Sequence, residues 1–381
     1  EVTAQLDAID EAKAALADEQ MEQLDFARYA AAAEALSALA GQPGANEPNL
    51  LMDADMSGNC GATGNEDKVT WALAENGTDS EGNKTYTLTI SGSGAMADYP
   101  SWAPAGETDP RPWANYLASI TAIVVEDGIT RIGNRAFHFI NQIGSDNRPN
   151  PLNVTITFPE SLKEIGEEAC VRANISTIDI PEAVKSLGIS AFYQCKNLAT
   201  ITGLEGVQAV GNYAFYGCAS VTSDLTLTSA ETIGANAFSG CEKLAGVSIP
   251  SATEIGASAF NGCSALTSID VSNVETIGQS AFQNCTGLQS ISFPKVTSIP
   301  WGVVKGCTNL KSITLNKNVT AIANETFKDC TALESIDFCG AEVELINYMF
   351  NNYTNLVTVQ GLGNATVGEY AFNGCSSLTS V

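Results

Sequence analysis

Eight of the eleven cysteines, Cys195, Cys218, Cys241, Cys263, Cys285, Cys307, Cys330 and Cys375, recur at one place in a repeated phrase. A metal site needs ligands that converge on one point, as paired C-x-x-C segments do, whereas this regular spacing strings the thiols out along a line. No metal ligand and no cofactor is therefore expected. Disulfides between adjacent turns are open on distance but need a particular orientation of both Cβ vectors, which equivalent positions in parallel turns need not offer. The expectation is buried, reduced thiols acting as small apolar fillers. Cys60, Cys170 and Cys339 lie off the column.

His138, the single histidine, follows Phe137 directly and has no neighbouring nucleophile or carboxylate pattern, so it reads as a surface residue of the first repeat rather than a general base. The acidic residues are scattered through variable positions and form no recurring pair of the kind a glycoside hydrolase needs. No catalytic residue is assigned, and a carboxylate-based hydrolase gains no support. Gly92-Ser93-Gly94-Ala95-Met96-Ala97 imitates a dinucleotide fingerprint after a strand, but Pro100 and the prolines from Pro104 to Pro112 deny it the helix that would hold a pyrophosphate. Asp53-x-Asp55-x-Ser57-Gly58 imitates the start of a calcium loop, yet Gly64 stands where a bidentate glutamate is required.

These residues are positioned by a repeat. Its phrase is Ile-Gly, two variable residues, Ala-Phe, two variable residues, Cys, and the Phe place falls at Phe137, Cys170, Phe192, Phe215, Phe238, Phe260, Phe282, Val304, Phe327, Phe350 and Phe372. After a first gap of 33 the spacing is 22 or 23 throughout, the mark of stacked units that bury their apolar sides only against each other. The other half of each unit runs Leu, two residues, Ile, one residue, apolar, as in Leu288, Ile291 and Phe293. That alternation is a strand with one face inward. The glycine of Ile-Gly is expected to supply a turn, with Pro300, Ala323 and Ile346 in its place in three consecutive units.

Residues 1–48 are rich in helix formers and read as a helical hairpin, closed by Gly41, Pro43, Gly44 and Pro48. Residues 49–118 carry strand-like runs and three of the four tryptophans, and read as a β-rich cap. Residues 119–381 are the repeats, cut at the carboxyl end. Both ends read as cut, so a leader or anchor is left open. The formal charge of -25 repels phosphate backbones and anionic lipid, which argues against nucleic acid as a partner. No apolar run is long enough to suggest membrane insertion.

The units resemble the leucine-rich repeats of BspA-like bacterial surface proteins, whose phrase L-x-x-I-x-I-P leads into x-x-I-G-x-x-A-F-x-x-C. Residues 57–61, 88–96 and 124–130 resemble that family's amino-terminal cap, so the likeness covers about 55–381. It implies an α/β fold: a right-handed leucine-rich repeat solenoid with a parallel sheet on one face, a β-rich cap and a short helical hairpin ahead of it. It also implies a secreted or cell-surface location, a role in adhesion or protein binding, and no catalytic residues.

Strand alternation turns Ser268, Ser290, Ser312 and Ser335 outward in one column and Asp270, Ser292, Thr314 and Asp337 in another. This polar face is the candidate binding surface, for a host or bacterial surface protein or a glycan. Residues 141–153 account for the oversized first gap and, with Arg148 and Asn150 as their exposed-looking members, form a second candidate. The leading expectation is a non-enzymatic bacterial surface binding or adhesion protein. The alternative is a structural spacer that holds another domain away from the cell.

Overall fold

Isoleucine flanked by short polar residues makes a strand with one buried face, and stacking one such strand per repeat gives a parallel ladder. In the computed structural model, which describes residues 56–100, 109–141, 152–363 and 365–381, Ser290–Ser292, Ser312–Thr314, Ser335–Asp337 and Thr358–Gln360 form four such strands in register. Their central Ile291, Ile313, Ile336 and Val359 are buried. Earlier coils contribute a three-stranded and a two-stranded segment of the same kind.

A second parallel ladder runs through the Ile-Gly phrase. Two residues per coil pair with the next coil, from Gly94–Ala95 through Thr276–Ile277 in one eight-stranded sheet. The glycine that follows is therefore not a turn residue. Gly234, Gly256 and Gly278 keep ordinary φ, but a Cβ there would sit 2.6, 2.5 and 2.2 Å from a backbone nitrogen of the preceding coil. Glycine is used for close approach of coil to coil.

The third side carries Ala-Phe-x-x-Cys as successive turns. Its backbone also pairs between coils: the N–H of Phe215, Phe238 and Phe260 donates to Ala237, Ala259 and Ala281, each at 2.8 Å. The left-handed conformation that these turns need is taken by non-glycine residues such as Asn236 and Ser258, at φ 55° and 53°. Inside, the Phe rings stack face to face from Phe192 to Phe282 with centroids 5.2–5.6 Å apart. Val304 interrupts the column, which resumes at Phe327, Phe350 and Phe372.

At the amino-terminal side, strands β1 (Ser57–Asn59), β2 (Val69–Thr78) and β3 (Lys84–Gly92) pair antiparallel in sequence. β4 (Gly94–Ala95) begins the second ladder, and β5 (Ile120–Val125) joins β3 in parallel, so these strands continue into the ladders of the repeats. Trp113 is fully buried, 6.0 Å from Trp71 and 6.2 Å from Phe137, the first ring at the Phe place, which Cys170 separates from the stack that begins at Phe192.

One expectation changes here. The described residues contain no α-helix, only the single 3₁₀ turns Ala114–Tyr116 and Leu204–Gly206, so the α/β class gives way to a β-solenoid of stacked coils. Turns with their own inter-coil hydrogen bonds do the work that helices would do. The fingerprint-like glycines join β3 to β4, and Ser57–Gly58 of the calcium-like motif lie in β1. The expected hairpin of residues 1–48, with Asp53 and Asp55, lies outside the described residues.

Candidate functional site

The sheet face is built by strand register. Ser290 lies beside Ser312, which lies beside Ser335, which lies beside Thr358; Ser292, Thr314, Asp337 and Gln360 form the parallel column. Ser290 and Ser292 are exposed, while Ser312, Thr314, Ser335 and Asp337 are half-buried. Six of the eight expected residues thus share one continuous four-strand patch. Thr358 and Gln360 extend it, signalled by Leu356 and Val359 in the same phrase. Ser268 lies in the preceding three-stranded sheet, paired with Gly246, and Asp270 falls just past its strand, where its carboxylate accepts from the N–H of Ser272 at 2.9 Å.

Such a surface offers hydroxyls that both donate and accept, with carboxylates at its margins. No nucleophile and base meet on it. Arg148 and Asn150, the expected loop members, lie outside the described residues.

All eleven thiols are free, and nine are buried. They are more than fillers. Each column thiol lies 3.0–3.3 Å from the carbonyl at the Phe place one coil earlier, a weak donor to that oxygen. Burial raises every one of these thiols, Cys285 to about 12, the opposite of an activated nucleophile. Among the described residues no group of His, Cys, Asp and Glu could hold a metal ion.

His138 is not the free surface residue expected. Its ring stacks 3.8 Å from that of Phe139, and Nε2 is buried without a hydrogen-bond partner among the described residues. Burial first, then the charges of Arg111, Arg135 and Arg172, push its pKa well below the usual value.

A second surface feature arises where the glycine of Ile-Gly is replaced. With glycine in place, as at Gly278, three turn-side hydrogen bonds join neighbouring coils, from Ser258, Phe260 and Gly262 to Gln279, Ala281 and Gln283. At Pro300 all three persist, from Ser280, Phe282 and Asn284 to Trp301, Val303 and Lys305, although the ladder breaks between Ile277 and Ile299. At Ala323 the first of the three is absent and the second, Val304 to Thr326, lengthens to 3.3 Å. At Ile346 none forms: the N–H groups of Glu325, Phe327 and Asp329 no longer reach the carbonyls of Asn347, Met349 and Asn351, and the strand ladder breaks between Ile322 and Leu345. Gly368 restores all three. The two coils thus part at Ile346, leaving a groove of about 760 Å³ lined by Ile346, Trp301, Lys305, Glu325, Tyr348 and Tyr353 among others. Lys305 sits 4.5 Å from the Trp301 ring centroid and 2.7 Å from Glu325, which Lys328 also meets at 2.8 Å. Burial raises the Glu325 carboxyl, but hydrogen bonds from both lysines outweigh it and hold the group below its usual range.

Coils of two short strands, an apolar Leu-Ile stripe and a fixed return define a leucine-rich type of solenoid. The description BspA type leucine-rich repeat region matches residues 113–245, 208–318 and 253–379, and the chain belongs to that family. A leucine-rich repeat protein from Bacteroides ovatus is 24% identical, covering 81% of this chain and 80% of that one, with a TM-score of 0.56, a likeness of fold. A leucine-rich repeat protein from Eubacterium ventriosum is 24% identical over 86% of this chain and 97% of that one, at a TM-score of 0.43. A leucine rich cell surface protein from Faecalibacterium prausnitzii is 20% identical over 86% and 94%, at 0.31. No curated protein matches the chain.

Proposed function

We propose that this chain is a non-enzymatic binding protein of the bacterial cell surface, whose partners are surface proteins or glycans contacted through the polar sheet face. The observation that carries the reading is the register of Ser290, Ser312 and Ser335 beside Ser292, Thr314 and Asp337, which sets repeated hydroxyls on a continuous rigid ladder. Family membership supports it. No helix among the described residues is long and apolar enough to cross a membrane. In this reading residues 49–118 precede the repeats of 119–381 as an end cover.

A glycan and host-protein array tests it. Signal that disappears when Ser290, Ser292, Ser312 and Thr314 are all changed to Lys supports the face as the contact surface. An array that stays dark favours the spacer, a reading that the unbroken stack of Phe192, Phe215, Phe238, Phe260 and Phe282 supports through its stiffness.

A further inference from the structure

We propose that the groove at Ile346 is a second binding site, separate from the sheet face, and that it takes a neutral oligosaccharide. Its volume of about 760 Å³ falls within the range of roughly 300–1,000 Å³ usual for small-ligand sites. One wall carries the N–H groups of Glu325, Phe327 and Asp329 and the other the carbonyls of Asn347, Met349 and Asn351, all released from the inter-coil pairing made elsewhere. A ligand that serves both walls must donate and accept many times over a short length, as sugar hydroxyls do.

Aromatic rings supply the complementary contact. Tyr348 is 54% exposed and stacks 5.3 Å from Tyr370, while Lys305 steadies Trp301 from one side. The C–H face of a pyranose ring is drawn to the electron-rich face of such rings, and rings held in place beforehand lose little freedom on binding.

Two other occupants fit less well. An added peptide strand needs an extended edge, but residues 325–329 are turns in which Glu325 and Asp329 hold φ of 57° and 63°. An anion would compete with Glu325 for Lys305 and Lys328 and approach a chain of net charge -25.

Titration calorimetry and tryptophan fluorescence of the whole chain with cellohexaose, maltohexaose and mannohexaose test the proposal. At least one hexaose is expected to give heat and shift the Trp301 emission, a shift that Trp301→Phe removes. Tyr348→Ala changes an exposed ring and should weaken binding at least about tenfold. Ile346→Gly should close the groove, raise the melting temperature and weaken binding as much. The fourfold lysine variant of the sheet face should bind the hexaose unchanged, which separates this site from the surface proposed above. Silence with all three hexaoses, or binding that survives either Tyr348→Ala or a folded Ile346→Gly, overturns the proposal.

Discussion

The hydroxyl of Tyr353 donates to the backbone carbonyl of Phe327, the acceptor that a cysteine thiol takes in neighbouring coils. Tyr353 stands at the Cys place in the coil that carries Ile346. A longer side chain with a stronger donor spans the widened gap, and the same oxygen also accepts the N–H of Cys330 at 3.1 Å. The column is thus defined by a hydrogen bond, with sulfur as its usual donor.

This predicts a ranking that volume alone does not. Tyr353→Phe keeps the ring and removes the donor, and should cost about 1 kcal/mol. Cys263→Ala removes a donor and leaves a small void, for about 1–2 kcal/mol, whereas Cys263→Ser keeps a donor and should lose less. Urea midpoints of the three variants check the order. Serine less stable than alanine would reduce the thiol to a filler.

Close approach at Ile-Gly gives a second prediction. A Cβ on Gly278 would lie 2.2 Å from the nitrogen of Ala257 and 2.5 Å from its Cα, both backbone atoms. Gly278→Ala should therefore destabilise by about 1–3 kcal/mol, although alanine is acceptable at the same place in Ala323. Amide exchange should quicken at Gly278 and at the turn-side donors Ser258 and Phe260, which bond across the same junction. Unchanged protection would place the coils farther apart than the structure has them.

The coil period and the inward face of the first strand were legible because every unit must present the same apolar shape to its neighbour. Leu288, Ile291 and Phe293 spell that shape out. The second ladder was not, since strands as short as Ser298–Ile299 leave no room for alternation to appear. Its glycine therefore read as a turn residue. The α/β expectation came from family likeness, and the turns around Phe238 show no sequence sign that distinguishes them from a helical return. The groove is a property of two unlike coils: Pro300, Ala323 and Ile346 marked its place, but only the lost pairing of Glu325, Phe327 and Asp329 reveals an opening.

Thiol access follows from burial. Cys339 is exposed and Cys375 half-buried, while the other nine are buried. A native sample should react rapidly with a chromophoric disulfide at Cys339, more slowly at Cys375, and at the remainder only on unfolding, for eleven thiols in total. A total well short of eleven under non-reducing denaturing conditions would mean that disulfides form in solution.

Stability should also fall on the alkaline side, through the same thiols. An unfolded cysteine releases its proton near 9.0, whereas burial holds that of Cys285 to about 12. Between those values the folded chain binds more protons than the unfolded one, so stability declines as pH rises, and below about pH 9 this contribution is constant. Each fully shifted thiol adds about 1.4 kcal/mol per pH unit to the slope. Urea midpoints should therefore stay level from pH 7 to 8.5 and drop steeply by pH 10.5. A variant with Cys263, Cys285 and Cys307 all changed to Ala should start less stable and decline more gently. Equal slopes for the two proteins would assign the alkaline loss to other groups and leave the buried thiols without a part in it.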